Sequence, residues 1–296
     1  MFKHILVPLD GSHLAEAALP AAVSLSRALA APVTLMHIIE QDPPAEVHRD
    51  HHLTNSTEAE EYLRDVARRF EVRVETHVHT APVADVARSI AEHTTAEFQP
   101  ELIILTSHGN GGMHDLFFGN IAQQVAATGG TPVLLVKPVG IPAPFQIKRI
   151  LVPLDNESVH DKVLPTAETL AKACEAQLDL LCVIPTRGTD SGAHAAAGTM
   201  LPMTAEAYLD IAGEIAQEHF QAHLDEFAKA GIPATAEIVR GDPAPVIAKT
   251  AECLGADLIL FGTHGRAGLD AFWNRSVAAA VARRTKIPLL LIPLSE

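Results

Sequence analysis

The feature that most constrains this chain is that its pattern is written twice. KHILVPLDGS (residues 3–12) returns as KRILVPLDNES (148–158), PELIILTSHGNGG (100–112) as ADLILFGTHGRAG (256–268), and GTPVLLVKP (130–138) as TKIPLLLIP (285–293). Three matched pairs in the same order indicate two similar domains rather than a short-period solenoid. A length of 296 residues suits two domains. We place them at 1–140 and 147–296. The join is KPVGIPAPFQI (137–147), whose prolines discourage regular structure.

Inside the first copy, short apolar runs at 5–7, 33–39, 72–78, 102–105 and 133–136 alternate with longer stretches of helical spacing. Five strands separated by helices predict an α/β domain, a parallel sheet covered by helices on both faces. Right-handed crossovers make it doubly wound. Pro20 is expected to kink the first helix or mark its first turn. Hydrophobic residues reach 48% while aromatics are only 4%, a balance that fits aliphatic helices on a parallel sheet better than a β-sandwich. In such sheets, ligands sit beyond the C-terminal ends of the strands, where strand order reverses.

Charge and cysteine content narrow the function classes. A formal net charge of −14 repels nucleic-acid phosphates and anionic lipid, so neither partner is expected. Cys174, Cys182 and Cys253 form no CxxC pair and read as small apolar residues in a reducing compartment. The start shows no leader pattern, and no apolar run approaches the ~20 residues of a membrane span. The expectation is a cytoplasmic protein.

Two strand-end features carry chemistry. Asp10 and Asp155 each close an apolar strand, after Pro8-Leu9 and Pro153-Leu154. A carboxylate there can accept hydrogen bonds from a ribose hydroxyl or base amine, or it can cap the following turn. After the fourth strand of the second copy come Gly262, Gly265 and Gly268 around Thr263, His264 and Arg266. Glycines permit close backbone approach. Free N–H groups ahead of a helix N-terminus cradle phosphate, and Arg266 and Arg275 add charge-assisted bonds. There is no Walker A sequence.

The VPLDGS opening, the SHG and THG loops and the PVLLV ending, all at matching intervals, resemble the universal stress protein family in its tandem two-domain form. The resemblance implies five-stranded parallel sheets of order 3-2-1-4-5, of the adenine nucleotide alpha hydrolase-like kind, whose fifth strands mediate pairing. Nucleotide-binding members carry G-x2-G-x9-G-(S/T) after strand four. In the first copy those positions are Thr106, Gly109, Gly119 and Asn120; in the second they are Gly262, Gly265, Arg275 and Ser276, followed by Val277. Neither copy is complete. Base-side positions fall at Ile38 and Val183. Arg275 in place of the third glycine is the more serious steric change, so the first copy is favoured.

The resemblance therefore implies a stress-response protein that binds ATP, with Mg2+ held by phosphates and water. It would act as a nucleotide-dependent switch or partner-binding module, with homodimerisation through fifth strands and protein partners the sequence does not name. The alternative is a nucleotide-free dimeric scaffold of the same fold acting through protein contacts. No nucleophile–base–orienter set stands out, so a dedicated enzyme lacks support, and at most slow ATP hydrolysis is expected.

No resident metal is expected. The alternative set is His48, His51 and His52 in HRDHH, read as a solvated polar loop, with His77 and His79 on the third strand. His219 and His223, at i and i+4 in EHFQAHLDEF, read as a surface helix face. The Gly/Ala-rich stretch 188–207 reads as a lid or a disordered insertion.

Overall fold

The computed structural model describes residues 2–96, 98–107, 120–128, 130–138, 145–155, 157–186, 202–264 and 276–294. The first repeat contains β1 (Ile5–Pro8), α1 (Leu19–Leu29), β2 (Val33–Glu40), β3 (Glu46–Val47), β4 (Asp50–His51) and α2 (Ser56–Ala67). It continues with β5 (Val74–Val83), α3 (Val86–Ala96), β6 (Leu102–Thr106), α4 (Asn120–Thr128) and β7 (Val133–Val136). The second contains β8 (Arg149–Leu154), α5 (Leu164–Cys174), β9 (Gln177–Ile184), α6 (Pro202–Lys229), β10 (Ala234–Arg240), α7 (Pro243–Leu254), β11 (Leu258–His264), α8 (Val277–Ala282) and β12 (Leu289–Leu294).

Contacts divide the chain into two compact units. The first holds β1 to β7 with their helices and also β12. Its strand order runs β5-β2-β1-β6-β7, the expected 3-2-1-4-5, and every neighbouring pair is parallel. Beyond β7 lies β12, antiparallel, in the register Leu289↔Leu135, Leu290↔Leu134 and Leu291↔Val133. The fifth-strand pairing implied by the resemblance is thus made within one chain. Both edges of β7 are filled, by β6 and by β12. The second unit orders its strands β10-β9-β8-β11, again 3-2-1-4.

The same local devices recur in both repeats. A 3-10 turn, Ala15–Ala18 or His160–Val163, leads into α1 or α5, and Pro20 or Pro165 sits in the helix's first turn. There the missing N–H costs nothing, so Pro20 opens α1 rather than kinking it. Each first strand is anchored by an acid at the start of the fourth: Glu101 Oε2 accepts the Lys3 N–H at 2.7 Å, and Asp257 Oδ2 accepts those of Lys148 and Arg149 at 2.7 and 3.0 Å. The central strands β1 and β6 are buried along nearly their whole length, as a sheet covered on both faces requires.

Two expectations need correcting. Strand three reaches Val83 instead of ending at residue 78. It lies at the sheet edge, where Pro82 has no ladder bond to lose. HRDHH is not a plain loop. Residues 46–51 form the β3–β4 hairpin, with φ of +54° at His48 and +75° at Arg49, the positive values a two-residue hairpin turn needs. The lid-like stretch lies largely outside the described residues; its last residues begin α6. Among the described residues no helix is long and apolar enough to cross a membrane.

Candidate functional site

In the first unit the C-terminal ends of β1, β2 and β6 surround a cavity of about 300 Å3. Pro8 at the end of β1 and Leu9 and Asp10 just after it contribute, β2 contributes Met36, His37, Ile38 and Glu40, and β6 contributes Leu105 and Thr106. The walls are completed by Val86 and Ile90 of α3, Ile121 and Ala122 of α4, and Glu46, Val47 and His48 of the hairpin. Four residues named from sequence, Pro8, Asp10, Ile38 and Thr106, therefore line one cavity. Register explains why: Pro8 pairs with Met36, and Leu6 with Ile103, so β1, β2 and β6 end close together.

The two oxygens of Asp10 differ. Oδ1 accepts the Ser12 N–H at 2.9 Å and the Ser12 hydroxyl at 2.6 Å, so the turn-capping role is real. Oδ2 lies 3.6 Å from the His48 imidazole. One carboxylate thus caps the loop and keeps an acceptor on the cavity side. His37 lies beneath. Its Nδ1 donates to the Leu9 carbonyl at 2.7 Å, and burial lowers its pKa below the ordinary value. A neutral imidazole therefore props the strand-end peptide that carries Asp10.

His37, Glu40, Glu46 and His48 were not assigned to this cavity from sequence. The hairpin brings in Glu46 and His48, and it carries no Asn-Gly or Asp-Gly signal that would have marked a two-residue turn. Glu40 is the last residue of a strand otherwise buried throughout, and nothing in its one-dimensional context marks it as a wall. Gly109 and Gly119 lie outside the described residues, as does the side chain of Asn120, whose backbone opens α4.

The second repeat differs at the equivalent points. Pro153 lies in β8 opposite Leu181, and Val183 in β9 opposite Val239. The Asp155 side chain is 53% exposed, and its Oδ1 already accepts the Glu157 N–H at 2.9 Å and bonds His160 Nδ1 at 2.6 Å. Gly262 is inside β11, and Ser276 is the N-cap of α8, a helix of only six residues, without a side-chain capping bond. Val277 is exposed. Gly265, Arg266 and Arg275 lie outside the described residues. Cys182, at the place held by His37 in the first repeat, has its thiol pushed up to about 11 by burial and then by the Asp155 charge.

The histidines regroup. His48, His51 and His52 face three separate carboxylates, of Asp10, Glu58 and Glu40, at 3.6, 3.7 and 4.0 Å, so they do not converge on one point. His77 and His79 meet His93 of α3 instead, with ring centroids 5.2 and 4.9 Å from it. His219 and His223 meet Asp161, so they are more than a solvated helix face.

Comparison with known proteins extends this picture. The profile of the universal stress protein family matches residues 1–137 and again 146–293. A universal stress protein of Mycobacterium tuberculosis is 22% identical over 306 aligned positions, covering 97% of this chain and 96% of that one. One from Methanocaldococcus jannaschii is 27% identical over 149, covering 49% of this chain and 81% of the relative. Among solved structures, a universal stress protein from Archaeoglobus fulgidus superposes with a TM-score of 0.71 at 18% identity, covering 99% of this chain and 97% of that chain. The repeated sequence, the repeated 3-2-1-4 strand order and the two profile matches lead to one conclusion: the chain belongs to the universal stress protein family.

Proposed function

We propose that this chain binds an adenine nucleotide, ATP in the first instance, in the cavity of its first repeat, and that the bound state controls its partner contacts. The observation that carries the reading is the cavity of about 300 Å3 at the strand ends, the place where open parallel sheets take ligands and within the size range of small-molecule sites. Asp10 Oδ2 suits a ribose hydroxyl. The apolar walls of Met36, Ile38, Val86 and Ile90 suit a base. Ile121 and Ala122 place the first turn of α4 at the cavity, and a helix N-terminus favours the phosphates. Mg2+ would come with them, held by phosphate and water. In the second repeat the Asp155 side chain is 53% exposed against 24% for Asp10, which supports the preference for the first.

A second reading, a nucleotide-free scaffold, is favoured by one observation: Glu40 and Glu46 join Asp10 in lining the cavity, and their charges repel phosphate. Since β6 and β12 fill both edges of β7, a homodimer would use a surface other than that edge.

Denaturing the purified protein and chromatographing the supernatant tests the reading, together with ATP titration of the stripped chain. We expect adenine nucleotide, and an Asp10→Ala variant with affinity lowered about 10- to 100-fold, the worth of a hydrogen bond to a charged group. Asp155→Ala should match the parent. No released nucleotide and no binding at millimolar ATP would leave the scaffold reading.

A further inference from the structure

We propose that Asp161, His219 and His223 form a binding site for a divalent transition-metal ion of the Zn2+ type, clipping the turn after β8 to α6. The three side chains come from two elements 58 residues apart in sequence. Asp161 is the second residue of the 3-10 turn His160–Val163. His219 and His223 are one turn apart on α6, so both rings project from the same face.

The distances fit one cation. Asp161 Oδ1 lies 3.0 Å from His219 Nε2 and 3.7 Å from His223 Nε2, and the two Nε2 atoms are 3.2 Å apart. Ligands about 2.0–2.2 Å from a tetrahedral Zn2+ are separated by about 3.3–3.5 Å, a span these three edges bracket. Protons serve the arrangement less well. If His219 Nε2 donates to Asp161, it has no lone pair for His223. If it accepts from His223, it has no proton for Asp161. A cation shared by two imidazole nitrogens and a carboxylate satisfies all three at once.

The surroundings agree. Glu226 Oε2 lies 3.6 Å from the other nitrogen of His223, Nδ1, the position from which an outer carboxylate orients a metal-bound imidazole. Side-chain exposures of 26, 17 and 19% for His219, His223 and Asp161 leave a path for an ion and room for water as fourth ligand. Two imidazoles select a borderline metal over Mg2+ or Ca2+, which prefer oxygen.

The first repeat provides an internal comparison. Glu16 holds the corresponding place, second in the 3-10 turn Ala15–Ala18, and its carboxylate pairs with Arg69, just beyond α2, at 2.8 Å. There a permanent cation ties the turn to the neighbouring helical segment. In the second repeat the carboxylate meets two imidazoles instead.

The test uses the full chain, stripped with chelator and titrated with Zn2+ and, separately, Co2+ at neutral pH. We expect one Zn2+ bound per chain at this site, a tetrahedral Co2+ spectrum, and a thermal midpoint that rises with Zn2+. His219→Gln and Asp161→Asn should each weaken Zn2+ at least about 10-fold and abolish the Zn2+-dependent rise. His93→Gln, in the separate cluster with His77 and His79, should leave both unchanged. If a ligand variant fails to fold, Glu226→Gln, at a 73% exposed side chain, substitutes for it, with a loss of about 10-fold expected. An octahedral Co2+ spectrum would overturn the proposal. So would no binding at roughly 0.1 mM free Zn2+, affinity within about twofold of the parent in every folded variant of the site, or loss on His93→Gln.

Discussion

Gly11→Ala tests whether the loop that carries Asp10 is built as described. Gly11 has φ of +90°, and a Cβ there would stand 2.8 Å from Leu53 Cγ and 2.9 Å from Leu53 Cδ1, far inside the ~3.5–4.0 Å optimum for carbon contacts. Left-handed backbone costs a residue with a Cβ about 1–2 kcal/mol. Forcing an extra methyl against a neighbour costs about 1–3 kcal/mol. Leu53 is only half-buried and can give way, so the steric part belongs near the bottom of that range and the total at about 2–3 kcal/mol. Each kcal/mol lowers the midpoint of a domain this size by about 2–4 °C, so calorimetry on the full chain should show a fall of about 4–12 °C. With two units, the loss belongs to the transition of the first, and the two transitions must be fitted separately. Leu53→Ala in the same chain removes the clash but not the backbone strain. The double variant should therefore recover about 1 kcal/mol relative to additivity. A midpoint within about 1 °C of the parent would refute the strained-loop account, and strict additivity would show that Leu53 is not the wall.

Three other outcomes follow from the same geometry. Arg149→Ala strips the cation, at 3.0 Å, from the buried Asp179 carboxylate, which keeps Gln177 and Thr235 as donors; urea unfolding should show a loss of about 2–3 kcal/mol, below the full cost of breaking a buried pair because Arg149 is partly exposed. His37, with its folded pKa below the unfolded 6.5, keeps its full contribution above that value and loses it progressively as pH falls from there toward the folded pKa. Stability between about pH 7.5 and 5 should therefore fall less in His37→Gln than in the parent, and equal slopes would contradict the assignment. Under native conditions a thiol reagent should modify the exposed Cys253 first, the half-buried Cys174 more slowly, and the buried Cys182 only on unfolding, the last two thiols being raised by burial.

The chain on its own was enough for the repeats, the alternation of strand and helix, and the strand-end position of Asp10. These depend on short-range patterns: apolar runs, Pro at helix starts, turn residues after strands. The family resemblance, carried over residue by residue, named Ile38 and Thr106, and they line one cavity with Pro8 because parallel strands of similar length end close together. It was insufficient at the hairpin, where a turn with two positive φ values is built from His48 and Arg49 rather than the glycines that usually announce one, so Glu46 and His48 arrived at the cavity unannounced. It was insufficient again at His219 and His223. Their spacing marks a shared helix face, but a face becomes a ligand set only when a third donor stands opposite, and Asp161 comes from an element 58 residues away.

Local patterning therefore determined the kind of fold, its duplication and the end of the sheet where open parallel sheets take ligands, since hydrophobic period and turn chemistry act over a few residues. Tertiary structure alone decided that Asp10 lines a cavity while Asp155 is more exposed, and that β7 meets β12 within the chain. It also brought an acid and two imidazoles from distant segments to one point. Such outcomes depend on which loops fold back over which strand ends, and that is set by packing between residues far apart in the chain.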